Sequence, residues 1–216
     1  MSLVLPNMEG FWDPEQYCHM NKIRAKSGAL VPFKLWDHQR ILAAAVRDCY
    51  KNNKWLVHVK PRQEGSSTFF TSVATQHAMF RKGCRVGLLA HKKQMAQNLS
   101  EMAVRFHRHM PTQIKPKKTT GLKRTLEFPE LDSRMVVASV NDEEPLRGET
   151  VQVLMATEIS KWSEVAGPDA WTSALNAVPS NGGFVIAEST PSYHGDQLHE
   201  LCMDAENPHS KWMKVF

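Results

Sequence analysis

Short apolar runs alternate with longer stretches of helical spacing along most of the chain. The apolar runs lie at 56–59, 85–90, 134–140, 151–156 and 184–187, and further apolar residues at 212–216 stand where another strand would begin. Apolar positions with helical spacing follow at 41–50, 66–80, 96–106 and 168–178. Strands that alternate with helices predict an α/β domain with a mostly parallel central sheet and helices on both faces. No apolar run is long enough to span a bilayer.

The segment at 55–68 reads Trp-Leu-Val-His-Val-Lys-Pro-Arg-Gln-Glu-Gly-Ser-Ser-Thr. A buried strand, a loop that ends in Gly65, and a hydroxyl pair that opens a helix are the layout of a phosphate-binding loop. Backbone N–H groups at the start of such a helix point toward an anion, and the helix dipole favours negative charge there. We therefore expect a nucleotide phosphate to bind at this loop.

The loop departs from the usual pattern G-x-x-x-x-G-K-[ST]. Ser66 stands in the lysine position and Lys60 in the first glycine position. A lysine side chain is long and flexible, so Lys60 can fold over the loop and supply the ammonium group from its other end, with Arg62 as a second cation. The alternative is an ordinary strand-to-helix turn that carries a surface Lys and Arg.

Aromatic residues precede this loop and lead into a glutamine just inside a predicted helix that Asp37 caps. An adenine ring can stack on Phe33 or Trp36, while the Gln39 amide both donates and accepts hydrogen bonds, as an adenine edge requires. The alternative is that both rings belong to the core and Gln39 lies on the surface.

An acid follows the apolar run 151–156. Glu158 stands where nucleotide hydrolases place the carboxylate that orients the attacking water, and Thr157 stands where an Asp usually organises Mg²⁺. The Thr157 hydroxyl can hold a water of the metal but supplies no charge. After the run 184–187, the hydroxyls of Ser189 and Thr190 can contact both the γ-phosphate and the catalytic carboxylate. The alternatives are that Glu158 is a residue at a helix start and that Ser189 and Thr190 belong to an ordinary Ser/Thr turn.

Composition adds a charge argument. The 216 residues are 42% hydrophobic and 23% charged, with a net charge of +5 and a pI of about 9.0. This balance is compatible with a polyanionic partner. The basic segment 91–93 is either a contact to DNA or phosphate or a solvated helix start, and the basic segments 115–118 and 123–124 are either DNA contacts or solvated surface. Four scattered cysteines without a C-x-x-C pair indicate free thiols in a reducing compartment.

Taken in order, these motifs resemble the ATPase domain of the large terminase subunit of tailed bacteriophages, the motor that packages DNA into capsids. The resemblance covers most of residues 31–195. The motifs that carry it are Leu-Trp-Asp-His-Gln at 35–39, Lys-Pro-Arg-Gln-Glu-Gly-Ser-Ser at 60–67, Leu-Arg-Gly at 146–148 before the run that ends in Glu158, and Ala-Glu-Ser-Thr-Pro at 187–191. It implies a P-loop NTPase of the additional-strand type.

The resemblance also implies a role for each matching residue. Gln39 contacts adenine, and Ser67 binds Mg²⁺. Glu158 is the catalytic carboxylate, Arg62 stabilises charge in cis, and Arg147 is an arginine finger that acts across a ring interface. ATP phosphates are held by Lys60, Pro61, Arg62, Gln63, Glu64, Gly65, Ser66 and Ser67, and hydrolysis is coupled to DNA movement by Ser189, Thr190 and Pro191.

The expected cofactors are ATP and Mg²⁺. The expected partners are double-stranded DNA, the small terminase subunit, the portal protein and further copies in a ring, with a monomer in isolation and no membrane. The host cytoplasm, with a transient stay at the procapsid portal, is the expected location. We expect residues 1–30 to form an N-terminal arm and residues 31–216 the ATPase domain, without the nuclease domain of the family. Two alternatives remain: a superfamily-2-type helicase or translocase, and a basic nucleic-acid-binding domain whose degenerate loop is inactive.

Overall fold

The computed structural model describes residues 13–120, 124–142, 145–146 and 148–216. Its α-helices are α1 Pro14–His19, α2 Asp37–Asn52, α3 Ser66–Phe80, α4 Lys93–His109, α5 Trp162–Ala166, α6 Ala170–Asn176 and α7 Gln197–Asp204. Its strands are β1 Lys22–Arg24, β2 Leu30–Pro32, β3 Trp55–Val59, β4 Arg85–Ala90, β5 Thr119–Thr120, β6 Thr125–Phe128, β7 Ser133–Ser139, β8 Val153–Thr157, β9 Phe184–Ser189 and β10 Trp212–Val215. No helix in these ranges is both long and apolar enough to cross a bilayer.

Eight of the ten described strands form one sheet in the order β10-β3-β9-β8-β4-β7-β6-β5, and β1 and β2 form a separate two-stranded sheet. The pairs from β10 to β7 are parallel, and β6 and β5 add an antiparallel edge. The predicted α/β fold with a mostly parallel sheet is confirmed. Strand β9 lies between β3, which leads into the phosphate loop, and β8, which leads into Glu158. This inserted strand is the feature that defines the additional-strand type.

Helices cover both faces of the sheet, and each central strand sends alternate residues into two separate cores. On β3, Leu56 packs with the residues of α1 to α4, whereas Val57 packs with those of α5 to α7. On β9, Ile186 packs in the same core as Leu56, and Val185 packs in the same core as Val57. Strands buried on both faces are continuously apolar, which explains why the sequence shows apolar runs and no alternation. All four cysteines are free thiols, as the sequence predicts.

The described part of the expected N-terminal arm packs as part of the domain. Tyr17 and Cys18 of α1 are fully buried in the core formed with α2, α3 and α4. Strands β1 and β2 pair antiparallel, with Ile23 beside Val31, so the boundary expected at residue 30 falls inside a hairpin. Residues 13–30 are therefore continuous with the domain that follows them.

The parallel strands bring three loops to one edge of the sheet. Val59 of β3 pairs with Ser189 of β9, and Glu188 of β9 pairs with Thr157 of β8. Residues that follow these strands, Lys60 and Glu158 among them, must then emerge side by side. Ligands of open α/β sheets bind at this carboxyl edge.

Phe106 tests how strongly the core on the α4 side supports the sheet. It is fully buried, and its ring stacks on that of Phe33 with centroids 6.0 Å apart. We expect Phe106→Ala to lower the free energy of unfolding by about 3–5 kcal/mol, because it removes buried apolar surface and leaves a cavity. Ile41→Ala is the control, since Ile41 is 58% exposed on α2. Urea unfolding should show little change for the control, and equal losses in the two variants would contradict this packing.

Candidate functional site

A cleft of about 470 Å³ opens at the carboxyl edge of the sheet. It lies where the segment after β3 meets the loops that follow β4, β8 and β9. Its described lining consists of Lys60, Pro61, Arg62, Gln63, Glu64, Gly65, Ser66, Ser67, Thr68, His91, Met95, Glu158, Lys161, Thr190 and Pro191. The fold thus places the predicted phosphate loop, the predicted catalytic carboxylate and part of the predicted coupling segment around one space.

The loop backbone presents the start of α3 to this cleft. Gln63 and Gly65 have positive φ angles of 66° and 75°, and α3 begins at Ser66. Among the described residues, no side chain caps this helix end. The first N–H groups of a helix lack partners within it, so this end of α3 is suited to bind an anion.

Gln39 holds the loop from the outside. Its Nε2 donates to the Gly65 carbonyl at 3.1 Å, and its Oε1 accepts from the Trp36 N–H at 3.1 Å. The neighbouring His38 ring contacts the Glu64 carbonyl at 2.6 Å through Nε2. A Cβ at Gly65 would lie 2.9 Å from Gln39 Nε2, so both this contact and the positive φ favour glycine.

The two aromatic candidates for base stacking, Phe33 and Trp36, differ in solvent exposure. Phe33 is buried at 1% exposure against Phe106, which removes it from any ligand surface. Trp36 is 57% exposed beside the loop. Gln39 is buried and engaged with the loop, and it is not among the described residues that line the cleft. Trp36 is therefore the one of the two predicted stacking rings that is exposed. The predicted contact between Gln39 and adenine stays a prediction.

The Lys60 ammonium lies at the centre of the site. Its Nζ is 2.9 Å from Ser67 Oγ, 3.1 Å from Glu158 Oε1 and 3.2 Å from Glu188 Oε1. Burial alone would lower the pKa of Lys60, but the charges of Glu188 and Glu158 outweigh it and raise that pKa above its ordinary value. Lys60 therefore remains a cation, held between the phosphate loop and the predicted catalytic acid.

Ser66, which occupies the usual lysine position, turns its hydroxyl away from the cleft. His58 of β3 contacts the Val215 carbonyl through Nδ1 at 3.1 Å and Ser66 Oγ through Nε2 at 3.1 Å. A carbonyl only accepts, so Nδ1 carries the proton and Nε2 accepts from the Ser66 hydroxyl. Burial lowers the pKa of His58 and keeps its ring neutral. The apolar run gave no reason to connect His58 with the loop.

Glu158 follows β8 in a left-handed backbone conformation, with φ 57° and ψ 43°. Non-glycine residues seldom adopt this conformation, and it costs on the order of 1–3 kcal/mol. The turn directs the side chain into the cleft, where 19% of it remains exposed. A carboxylate at a cleft wall beside a phosphate loop can orient a water for attack.

Thr157 is not at the cleft wall. It is fully buried, it is not among the described lining residues, and its hydroxyl donates to Glu188 Oε1 at 2.8 Å. Glu188 is also fully buried. The sequence interpretation assigned no role to Glu188, although an acid at the end of an otherwise apolar run was a usable signal.

The segment after β9 connects two parts of the site. The Ser189 hydroxyl accepts from the Ser160 N–H at 3.3 Å, and the Ser189 carbonyl accepts from the Lys60 N–H at 3.0 Å. Thr190 and Pro191 line the cleft. This segment therefore contacts both the predicted phosphate loop and the turn that follows Glu158, and its coupling role stays a prediction.

Of the two arginines with predicted roles, Arg62 and Arg147, the structure describes only Arg62. Arg62 is exposed on the loop and lines the cleft. Arg147 lies outside the described residues. Lys161, which had no predicted role, lines the cleft, and its Nζ donates to Ser192 Oγ at 2.6 Å. His91, considered from the sequence as a DNA or phosphate contact, also lines the cleft.

The described residues include no group of three or more His, Cys, Asp or Glu side chains that could hold a metal. Magnesium in nucleotide sites needs few protein ligands, because phosphates and waters complete its shell. Ser67 Oγ, Glu158 Oε1 and Glu188 Oε1 converge on Lys60 Nζ, and Glu188 Oε2 is buried without a hydrogen-bond partner in the described part of the chain. This oxygen-rich, acidic set fits a hydrated Mg²⁺ that accompanies a nucleotide.

Comparison with known proteins supports the fold. No protein-family model matches the chain, and no curated protein matches it in sequence. The structure is similar to the large terminase of bacteriophage HK97, with a TM-score of 0.72 and 14% identity over 92% of this chain and 42% of that one. It is similar to an ATPase-domain variant of the Thermus phage P74-26 large terminase, with a TM-score of 0.62 and 15% identity over 85% and 81% of the two chains.

The UvsW helicase of bacteriophage T4 superposes less closely, with a TM-score of 0.54 and 14% identity over 87% of this chain and 63% of that one. The chain spans less than half of the HK97 terminase, at 42%. Its fold is that of P-loop ATPase domains, and it resembles the ATPase domains of large terminases in structure.

The buried ion cluster predicts a large effect of Lys60 on stability. Lys60→Met leaves the fully buried Glu188 without its cation, so we expect a loss of about 3–5 kcal/mol in the free energy of unfolding. Lys214→Met is the matched control, because Lys214 pairs with the exposed Glu206 at 2.7 Å and exposed pairs stabilise little. Urea unfolding at neutral pH measures both. A loss no larger than that of the control would contradict the arrangement described for Lys60.

Proposed function

We propose that this chain is the ATP-hydrolysing domain of a DNA-packaging terminase, which couples Mg²⁺-dependent ATP hydrolysis to the movement of double-stranded DNA into a capsid. The observation that carries the proposal is the position of Lys60 Nζ, 2.9 Å from Ser67 Oγ and 3.1 Å from Glu158 Oε1 at a cleft of about 470 Å³. We infer that this cation, from the front of the loop, takes the role of the usual loop lysine.

The residues around the cleft divide the work of phosphoryl transfer. The N–H groups at the start of α3 and the Lys60 ammonium bind the phosphates, and Arg62 adds positive charge from the loop. Bound Mg²⁺ would be held by Ser67 Oγ and would neutralise phosphate charge. Glu158 orients the attacking water and accepts its proton. Gln39 and the exposed Trp36 are proposed to contact the adenine.

Lys60 also restrains Glu158 before nucleotide binds. The ammonium lies 3.1 Å from Glu158 Oε1, so the ion pair occupies the oxygen that would otherwise accept a hydrogen bond from the attacking water. Phosphate oxygens attract the same ammonium, so nucleotide binding draws Lys60 toward the loop and releases Glu158 to a water. The site then becomes catalytic only when its substrate is present.

The assembled motor supplies what a single domain lacks. We propose that Arg147 acts as an arginine finger on the neighbouring copy in a ring, and such a finger contributes about 10³–10⁵-fold in rate. Ser189, Thr190 and Pro191 would pass the hydrolysis signal to DNA movement. The proposed partners are the small terminase subunit and the portal protein, in the host cytoplasm and at the procapsid portal.

A cluster of cations supports a nucleic-acid partner. Lys22 and Arg24 of β1 face the last turns of α4, which carry Arg105 and Arg108, and Lys115 follows. Within the described residues, none of these five side chains has a carboxylate within ion-pair distance. Burial and then the nearby charge of Arg24 lower the pKa of Arg105, and the opposing charge of Glu101 does not outweigh them.

Unpaired cations that repel one another are suited to phosphate oxygens of a duplex. The basic segments predicted from the sequence are only partly available for this. Lys117 pairs with Glu130 at 3.1 Å and Arg124 with Asp142 at 3.1 Å. Lys123 lies outside the described residues.

A superfamily-2-type helicase or translocase is the second candidate, because the fold also superposes on the UvsW helicase of bacteriophage T4. The two candidates share the phosphate loop and the acid. A second ATPase-like half in the complete gene product would favour the helicase, and a nuclease domain would favour the terminase. A basic domain with an inactive loop is the outcome if no hydrolysis is measured.

Glu158 provides the direct test of hydrolysis. We expect Glu158→Gln to reduce ATP turnover by about 10²–10⁴-fold, because the amide cannot accept the proton of the attacking water. Nucleotide affinity should remain, since Lys60 and the loop are unaltered. Turnover is measured as phosphate release with DNA present, and affinity by calorimetry with ADP.

Glu164→Gln is the control for this experiment, because it removes an exposed carboxylate from α5 close to the site. It should leave turnover unchanged. Equal turnover in the unaltered protein and Glu158→Gln would refute the assigned role, and an absence of turnover in the unaltered protein with DNA would favour the inactive alternative.

The cation cluster predicts a salt-dependent defect in DNA binding. Arg105→Gln/Arg108→Gln should weaken binding to duplexes of any sequence and lower the slope of log affinity against log salt by about two, because two phosphate contacts are lost. Lys51→Gln/Lys211→Gln removes the same charge near the opposite, β10 edge of the sheet and should leave the slope unchanged. Fluorescence anisotropy across a salt series decides between these results.

A further inference from the structure

Glu188 is a charged side chain of this site that has no role in the proposed hydrolysis. It is fully buried on β9 and pairs in register with Thr157 of β8. Its Oε1 accepts from Thr157 Oγ1 at 2.8 Å and from Lys60 Nζ at 3.2 Å. Its Oε2 is equally buried and has no hydrogen-bond partner among the described residues. Buried polar atoms are nearly always hydrogen-bonded, so a buried carboxylate oxygen without such a bond indicates a site for a water or an ion.

The residue before the catalytic acid supplies a reason. That position usually carries an aspartate, but here it holds Thr157, whose hydroxyl has no charge. Adjacent strands lie about 4.8 Å apart, and a glutamate is one methylene longer than an aspartate. The Glu188 carboxylate lies 2.8 Å from the Thr157 hydroxyl, so from β9 it reaches the space beside position 157 on β8.

We propose that Glu188 is the second acidic residue of the magnesium–nucleotide site, and that it supplies from β9 the carboxylate that position 157 lacks on β8. This inference rests on the proposed ATPase function. Glu188 would accept a hydrogen bond from a water of the hydrated ion, and the Thr157 hydroxyl would fix the orientation of its carboxylate. Thr157 thereby acts as a positioning residue.

Charge balance supports the same assignment. Without nucleotide, one ammonium, that of Lys60, faces two carboxylates, Glu158 and Glu188. When phosphate draws the ammonium toward the loop, the fully buried Glu188 loses its cation. A buried carboxylate without a cation is strongly unfavourable, so a second cation must enter together with the nucleotide. Ser67 Oγ, 2.9 Å from the same ammonium, lies close enough to share that cation.

The competing explanation is that Glu188 only holds Lys60 in place. The two roles differ in what they predict for metal. A residue that only holds Lys60 changes nucleotide binding equally with and without Mg²⁺. A residue of the metal site changes the gain in affinity that Mg²⁺ gives.

The experiment measures ADP binding to the 216-residue chain by calorimetry, with Mg²⁺ and with a chelator. We expect Glu188→Gln to reduce the Mg²⁺-dependent gain by about 10–100-fold. Metal-free binding should be unchanged or tighter, because Lys60 is then held by one carboxylate fewer. Thr157→Asp/Glu188→Gln moves the carboxylate back to β8 and should restore the gain. Glu200→Gln, an exposed change on α7, is the matched control and should behave as the unaltered protein.

A Mg²⁺-dependent gain that is the same in Glu188→Gln and the unaltered protein would overturn the assignment. Thermal melting verifies that each variant folds. If Glu188→Gln does not, Glu188→Asp decides, because it keeps the charge but withdraws it by one methylene, and an undiminished gain in this variant also overturns the assignment. ADP binding without any Mg²⁺ gain in the unaltered protein refutes this inference alone, whereas no ADP binding at all refutes the ATPase proposal with it.

Discussion

The shared ammonium of Lys60 is the interaction on which the site depends. Three oxygens surround it, from Ser67 at 2.9 Å, Glu158 at 3.1 Å and Glu188 at 3.2 Å. They come from the start of α3, the turn after β8 and the strand β9. Two carboxylates close together repel each other, and the cation between them offsets that repulsion. One side chain thus joins three elements that are distant in sequence.

The order of the strands makes this arrangement possible. Because β9 is inserted between β3 and β8, Glu188 stands between the strand that leads to Lys60 and the strand that ends at Thr157. A parallel sheet directs all these strand ends to one edge. The apolar residues on both faces fix the register, since a slip by one residue would exchange the two cores. Packing far from the cleft therefore determines the distances within it.

The altered phosphate loop is compensated by its neighbours. The Ser66 hydroxyl is satisfied by His58, whose other ring nitrogen contacts the edge strand β10 at Val215. Gln39 and His38 hold the loop from α2 through the carbonyls of Gly65 and Glu64. A loop without the usual lysine is thus held on two sides, and the cation enters from its first residue. The left-handed Glu158 shows that the same region also stores backbone strain.

The sequence alone determined the fold class and most of the cleft, because both follow from local patterns. Apolar runs mark strands buried on two faces, and the loop with Gly65 before Ser66 and Ser67 marks a helix start suited to bind an anion. That Lys60 and Glu158 lie at the same edge of the sheet was also predictable, since both residues directly follow strands of a parallel sheet.

Tertiary structure alone decided which side chains share that space. Strand order is not written in any local pattern, so it was the sheet that brought Glu188 beside Thr157 and Lys60. Packing likewise buried Phe33 and left Trp36 exposed, and it placed the Ser66 hydroxyl in a hydrogen bond with His58. Contacts between residues far apart in the chain depend on how strands pair and helices pack, and a single sequence records the residues without their partners.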